Sequence, residues 1–341
     1  MNRTKKFLVS AAALGFVAAT ISPAAAADDG PDVLDALQTV DAIQGKPATM
    51  DVLSEVAQVS AFDDANLNAT TEVGDVTVTV PSSTADDLGL KSTSGRSVQV
   101  SLPFPDTAAP AEEVADGIVE YDNENGSSTV PILKEDGSVQ VTTIIDGPSA
   151  PSTYAYEFDL ADGQYLELQD NGSVAIFNAD RSFGGGIAAA WATDAAGASV
   201  QTSYSISGST LTQTVLHSEQ DSYPVVADPW LGVDLISYHR WPTTQSISVH
   251  VTPWMGTVSS GVAGSAGWDE LKTKVRAGGV GRYNELMRTT YYDQWSCHSV
   301  GKVAIFAGQV TGMDKNSSWD LEGTRAPNGN FATWVSRRCN W

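Results

Sequence analysis

Strict alternation of apolar and polar residues dominates the middle of the chain. Val76, Val78 and Val80 alternate with Thr77 and Thr79, and Val98, Val100 and Leu102 with Gln99 and Ser101. Val139, Val141, Thr143 and Ile145 repeat the pattern, as do Tyr154, Tyr156, Phe158 and Leu160. A period of two marks strands with one buried face. Tyr165–Leu168 and Val174–Phe177 flank Asp170-Asn171-Gly172, and Tyr204–Ile206 and Leu211–Val215 flank Gly208. Both are hairpin signals, because Asn-Gly and Gly turns match the twist of paired strands. Short strands at this spacing predict an antiparallel β-sandwich or barrel-like domain over 72–228.

The pattern changes on either side. Val33, Leu34, Leu37, Val40 and Ile43 recur at helical spacing, and Val52, Leu53, Val56 and Val59 follow Pro47. Residues 28–71 therefore predict an acidic N-terminal arm, with either docked short helices or transient ones. Beyond residue 229, Ile247, Val249 and Val251 predict a strand, and Trp268, Leu271 and Val275 a helix over 267–277 ended by Gly278-Gly279. Tyr283, Leu286 and Met287 predict a second short helix. The apolar run Val300–Ala307 predicts a strand, and Ala332–Val335 the last one. The fold class expected is mainly β with a small α+β C-terminal domain.

Composition adds a boundary and an address. The 341 residues hold 41 Asp+Glu against 19 Lys+Arg, a net charge of −22. Such an acidic chain does not suit binding to a nucleic-acid backbone, which needs a basic surface. At 42% hydrophobic and 18% charged residues it is not disordered throughout. Residues 28–228 carry 33 acids and 5 bases, and residues 229–341 carry 8 acids and 11 bases. Eight of the nine Trp also lie after residue 229. Two shifts at Asp228-Pro229 predict a domain boundary there. Residues 1–27 read as a signal peptide: Arg3, Lys5 and Lys6, an apolar stretch from Phe7 to Ile21, Pro23, and an A-x-A site before Asp28. The mature chain is expected to be secreted, with no membrane span after signal removal.

Export gives the two cysteines a meaning. Cys297 and Cys339 are an even pair in an oxidising compartment, which predicts one disulfide. The alternative is a Cys297–His298 nucleophile, disfavoured if the segment is a strand, where neighbours face opposite ways. His298, Asp320 and Glu322 are the candidate catalytic residues. In an extended Trp319-Asp320-Leu321-Glu322 the two carboxylates would share one face at about 7 Å, as in an inverting carboxylate pair. The plainer expectation is that Arg288 and Arg325 pair with them. Trp254, Trp295 and Trp319 are candidate sugar-stacking rings, although Trp also fills small cores. No cofactor motif occurs, and no Cys/His spacing for zinc. The turns Asp122–Gly126 and Asp170–Gly172 could hold Ca²⁺ but lack EF-hand spacing.

Two resemblances follow. Gln294-Trp295-Ser296-Cys297-His298, Ser318–Glu322, Arg325 and Cys339-Asn340 resemble a secreted actinobacterial domain-of-unknown-function family, number 2599 of that series, over residues 233–341. Tyr238–Trp241 and Val251-Thr252-Pro253 are similar to its first strands. Asp320 stands where the family usually has Asn, and Ala326-Pro327 replaces a direct Arg-Pro. The resemblance supports the paired cysteines and implies no activity. Tyr223–Pro229, Tyr154–Asp159 and Trp191–Asp194 resemble an acidic β-rich module of actinobacterial exported proteins, which implies a delivery or presentation role. Together these features predict a non-catalytic binding module at the cell envelope or outside the cell, with cell-wall glycan or another protein as partner. The alternative is a small secreted hydrolase or toxin-like effector using His298 and Glu322.

Overall fold

The alternating segments pair into two antiparallel sheets that face each other. The computed structural model describes residues 32–59, 69–306, 318–339 and 341. The signal-peptide expectation and Asn340 lie outside them. The first sheet has seven strands, in the order Ala69–Val73, Val76–Val80, Asp87–Ser92, Ser97–Ser101, Thr153–Phe158, Thr210–Val215 and Thr202–Ser207. The second has ten and centres on Ser127–Leu133 paired with Val139–Ile145. Val78, Leu90, Val100, Tyr156 and Leu211 of the first sheet pack against Tyr121, Val141, Ile145, Ile187 and Leu231 of the second. This is the sandwich expected from the period-two pattern.

The outer face of the second sheet is covered by the N-terminal segment. Helix α1 (Val33–Asp41) starts at Asp32, whose side chain accepts from the Leu34 amide at 2.8 Å. Its buried stripe of Val33, Ala36, Leu37 and Val40 packs with Val52 on Val130, Ile132, Ile144 and Val226. Of the two alternatives for residues 32–59, docking is the one observed. Lys134 fixes the contact: its buried ammonium donates to the Asp51, Val52 and Ser54 carbonyls. Burial lowers its pKa to about 8.

The composition boundary at 228/229 falls inside the second sheet. Val225–Asp228 and Trp230–Gly232 both pair with Val139–Ile145. The described residues from Asp32 onward form one compact unit. After Gly232 the chain enters a third sheet of Ile236–Thr243, Ser246–Val251 and Trp319–Glu322. Helices α2 (Ser260–Ala277), α3 (Val280–Leu286), α4 (Thr289–Phe306) and α5 (Phe331–Arg337) complete this α+β region.

Three sequence expectations need correction here. The apolar run from Val300 belongs to α4, and Ala332–Val335 to α5, so neither is a strand. A short apolar run does not distinguish a buried helix from a strand. The helix expected over 267–277 begins at Ser260, where the Ser259 hydroxyl accepts from Val262 N at 3.2 Å.

Candidate functional site

Helix α4 and the strand Trp319–Glu322 bring the C-terminal candidates to one edge. Gln294 on α4 clamps the strand end: its side-chain amide donates to Glu322 O at 2.9 Å and accepts from Glu322 N at 3.0 Å. One turn on, Cys297 forms the expected disulfide with Cys339, with Cα atoms 5.6 Å apart. Neither cysteine is free to act as a nucleophile.

The strand alternates as expected. Trp319 and Leu321 point into the core, and Asp320 and Glu322 point outward. Glu322 is held by Arg325, whose Nε donates to Oε2 at 2.7 Å and whose Nη1 donates to Cys339 O at 3.1 Å. Arg288 pairs instead with Glu285 on α3. Asp320 is exposed and accepts from the Ser318 hydroxyl. His298 is half-buried and stacks on Trp319, with ring centroids 5.5 Å apart at 18°. Burial pushes its imidazole down to about 4, with the Arg325 charge adding to the shift and Asp320 opposing it. Among the described residues no hydrogen bond joins His298 to Asp320 or Glu322. A general base at neutral pH needs a pKa near the working pH. A pKa near 4 leaves the His298 imidazole neutral at pH 7 and only weakly basic.

The three tryptophans singled out for sugar stacking are core residues. Trp254 and Trp295 are 0% exposed and Trp319 is 3% exposed. Trp254 lies over Gly232, where any Cβ would overlap its ring. Trp295 packs 4.7 Å from Trp319 and donates Nε1–H to Gly264 O. None of the three offers a free ring face, which corrects their assignment as ligand platforms.

Among the described residues the exposed large aromatic side chains are Tyr238, Tyr292 and Phe331, and Phe331 lies on the segment held by the disulfide. Phe331 is 59% exposed, and Trp334 and Trp341 are half-buried. Trp334 donates Nε1–H to Asn328 O at 2.6 Å, and Trp341 to Ala326 O at 3.0 Å. Those two carbonyls are two residues apart, so about 7 Å at most separates them. The loop below is fixed from α4, where Asp293 accepts from Asn328 N at 2.6 Å. Phe331 and Trp334 meet edge to face at 6.3 Å. The expectation of a strand over 332–335 hid this set, since α5 spaces the rings one turn apart.

A concavity of about 280 Å³ lies at the junction of the sheets. Its walls include Glu55, Asp75, Glu135, Asp136 and Asp234, with Tyr238 stacked on His250 at 4.1 Å. Asp75 pairs with Lys274, Asp136 accepts from Ser138, and Asp234 accepts from Ser92 and pairs with Arg96. Among the described residues no three His, Cys, Asp or Glu converge to hold a metal ion. In the turns considered for Ca²⁺, Asp122 accepts from Glu124 N, and Asn171 from Ser173. No described helix is long and apolar enough to cross a membrane.

No family model matches the chain, and neither the curated proteins nor the solved structures contain a match.

Proposed function

We propose that this chain is an exported, non-catalytic binding module acting at the cell envelope or outside the cell, and that it engages cell-wall glycan through the disulfide-pinned edge of Phe331, Trp334 and Trp341. The carrying observation is the contrast between buried and presented rings. Trp254, Trp295 and Trp319 fill the core, while this edge has an exposed Phe331 and two half-buried indoles whose N–H groups are satisfied by the Asn328 and Ala326 carbonyls. Flat apolar rings that keep their polar ends satisfied suit stacking on a sugar face. A pre-fixed loop also lowers the ordering cost of binding. The resemblance to secreted actinobacterial proteins and the signal-like N-terminus supply the address.

The test incubates the oxidised mature protein with insoluble cell-wall material, followed by sedimentation and mass spectrometry of the supernatant. Retention of intact protein, weakened in Phe331→Ala and Trp334→Ala, is the expected result. Released glycan or peptide fragments that disappear in His298→Ala would instead establish the hydrolase alternative.

A further inference from the structure

The same edge carries a charge opposite to the rest of the molecule. Residues 323–341 contain Arg325, Arg337 and Arg338 and no Asp or Glu, whereas residues 28–228 carry 33 acids and 5 bases. Arg325 is tied to Glu322 and Cys339. Arg337 and Arg338 are exposed, and among the described residues neither forms an ion pair. Arg337 follows Trp334 by three positions on α5, which places the two on neighbouring surface of the helix. Two exposed guanidinium groups, one of them a helical turn from the half-buried Trp334, share a short segment with the exposed Phe331 on a strongly acidic protein.

We infer that this edge recognises an anionic polysaccharide, with the rings stacking on sugar faces and Arg337 and Arg338 pairing with its carboxylate or phosphate groups. The inference rests on the binding reading above and specifies its ligand class. Charge complementarity selects the anion, since Arg presents a planar fork that fits both groups. A polymer chain is favoured over an anionic bilayer by the charge of the whole protein. A single chain meets only the edge, but a plane also faces the acidic body, and repulsion acts across roughly 8–10 Å at moderate ionic strength. Polar Asn330 and Thr333, next to the rings in the chain, also suit a hydrated polymer better than a lipid core.

The experiment measures binding of the oxidised mature protein to four probes: polygalacturonate, its neutral methyl ester, poly(glycerol phosphate), and phosphatidylglycerol vesicles. Binding to one or both anionic polymers, weakened by salt and by about tenfold in Arg337→Gln/Arg338→Gln, is expected. The first and third probes distinguish carboxylate from phosphate. Equal binding to the neutral ester, or an unchanged double variant, overturns the anionic assignment while leaving a glycan-binding module standing. Vesicle binding without polymer binding overturns it in favour of a membrane surface. Absence of binding to every probe, together with no retention on cell-wall material, overturns both.

Discussion

Arg96, on a turn of the seven-stranded sheet, is ion-paired with Glu270 of α2, 174 residues later. Glu270 is buried and also accepts from Leu235 N at 2.9 Å and Ile236 N at 3.0 Å. Arg96 further donates to the Val233 carbonyl at 3.2 Å. The pair therefore holds the chain where it passes from the sandwich to the helical region. Burial raises the Glu270 pKa, and the Arg96 charge opposes that shift. Removing one partner of a buried pair typically costs about 3–5 kcal/mol, because the other charge stays desolvated. Arg96→Ala is expected to lose about 3 kcal/mol in urea unfolding followed by Trp fluorescence. A loss below about 1 kcal/mol would mean that solvent reaches Glu270 without Arg96.

Asp228 gives a pH dependence with a defined sign. It is fully buried beside Gln140, which donates to it at 2.7 Å, and burial raises its pKa to about 8. An unfolded Asp ionises near 4. The folded protein thus holds this proton over a range where the unfolded chain has lost it. The stability Asp228 contributes is complete below about pH 4 and is lost as pH rises toward 8. Asp228→Asn keeps an acceptor for Gln140 and removes the titration. Its melting temperature should exceed the parent's by several degrees at pH 8 and differ little at pH 4. Equal shifts at both pH values would show that Asp228 is not the titrating group.

The disulfide joins the last residues to α4 across a separation of 42 residues. Chain-entropy estimates for such a loop give about 4 kcal/mol, with engineered cases often lower. Its more specific effect is on the edge itself, since Cys339 also accepts from Arg325. Reduction, or Cys297→Ser/Cys339→Ser, should speed tryptic cleavage at Arg337 and Arg338 and reduce retention on cell-wall material. The sandwich should keep its strand signal in circular dichroism. Retention unchanged after reduction would separate binding from this edge.

Legibility in the sequence followed burial on two sides. Val76–Val80 and Thr153–Phe158 alternate because one face is wet and the other buried. Ser127–Leu133 is buried at all seven positions, between the sandwich core and α1, so no alternation survives to be read. The apolar run at the end of α4 carried no period long enough to decide between helix and strand. The count of tryptophans was visible, but their sorting was not. Trp254 is internal because Gly232, at the end of the strand Trp230–Gly232, leaves space for its ring. The cysteine pair was legible because two cysteines allow only one pairing. Arg337 and Arg338 were visible as charges, yet the place of Arg337 one turn from Trp334 required the helix.

That sorting of tryptophans yields a double prediction. Trp295 is enclosed by Trp268, Trp319 and Gly267, and its indole N–H is satisfied by Gly264 O. Trp295→Ala removes a fully buried aromatic ring, a change that typically costs about 3–5 kcal/mol. Phe331 is largely exposed, so Phe331→Ala should cost under about 1 kcal/mol. Ligand retention should rank the other way once both variants are assayed at a temperature where each is folded. Phe331→Ala removes a presented face and should release the protein from cell-wall material. Folded Trp295→Ala leaves that face in place and should stay bound. A folded Trp295→Ala that fails to bind would place the contact at the interior cluster instead, and the edge would lose its assignment.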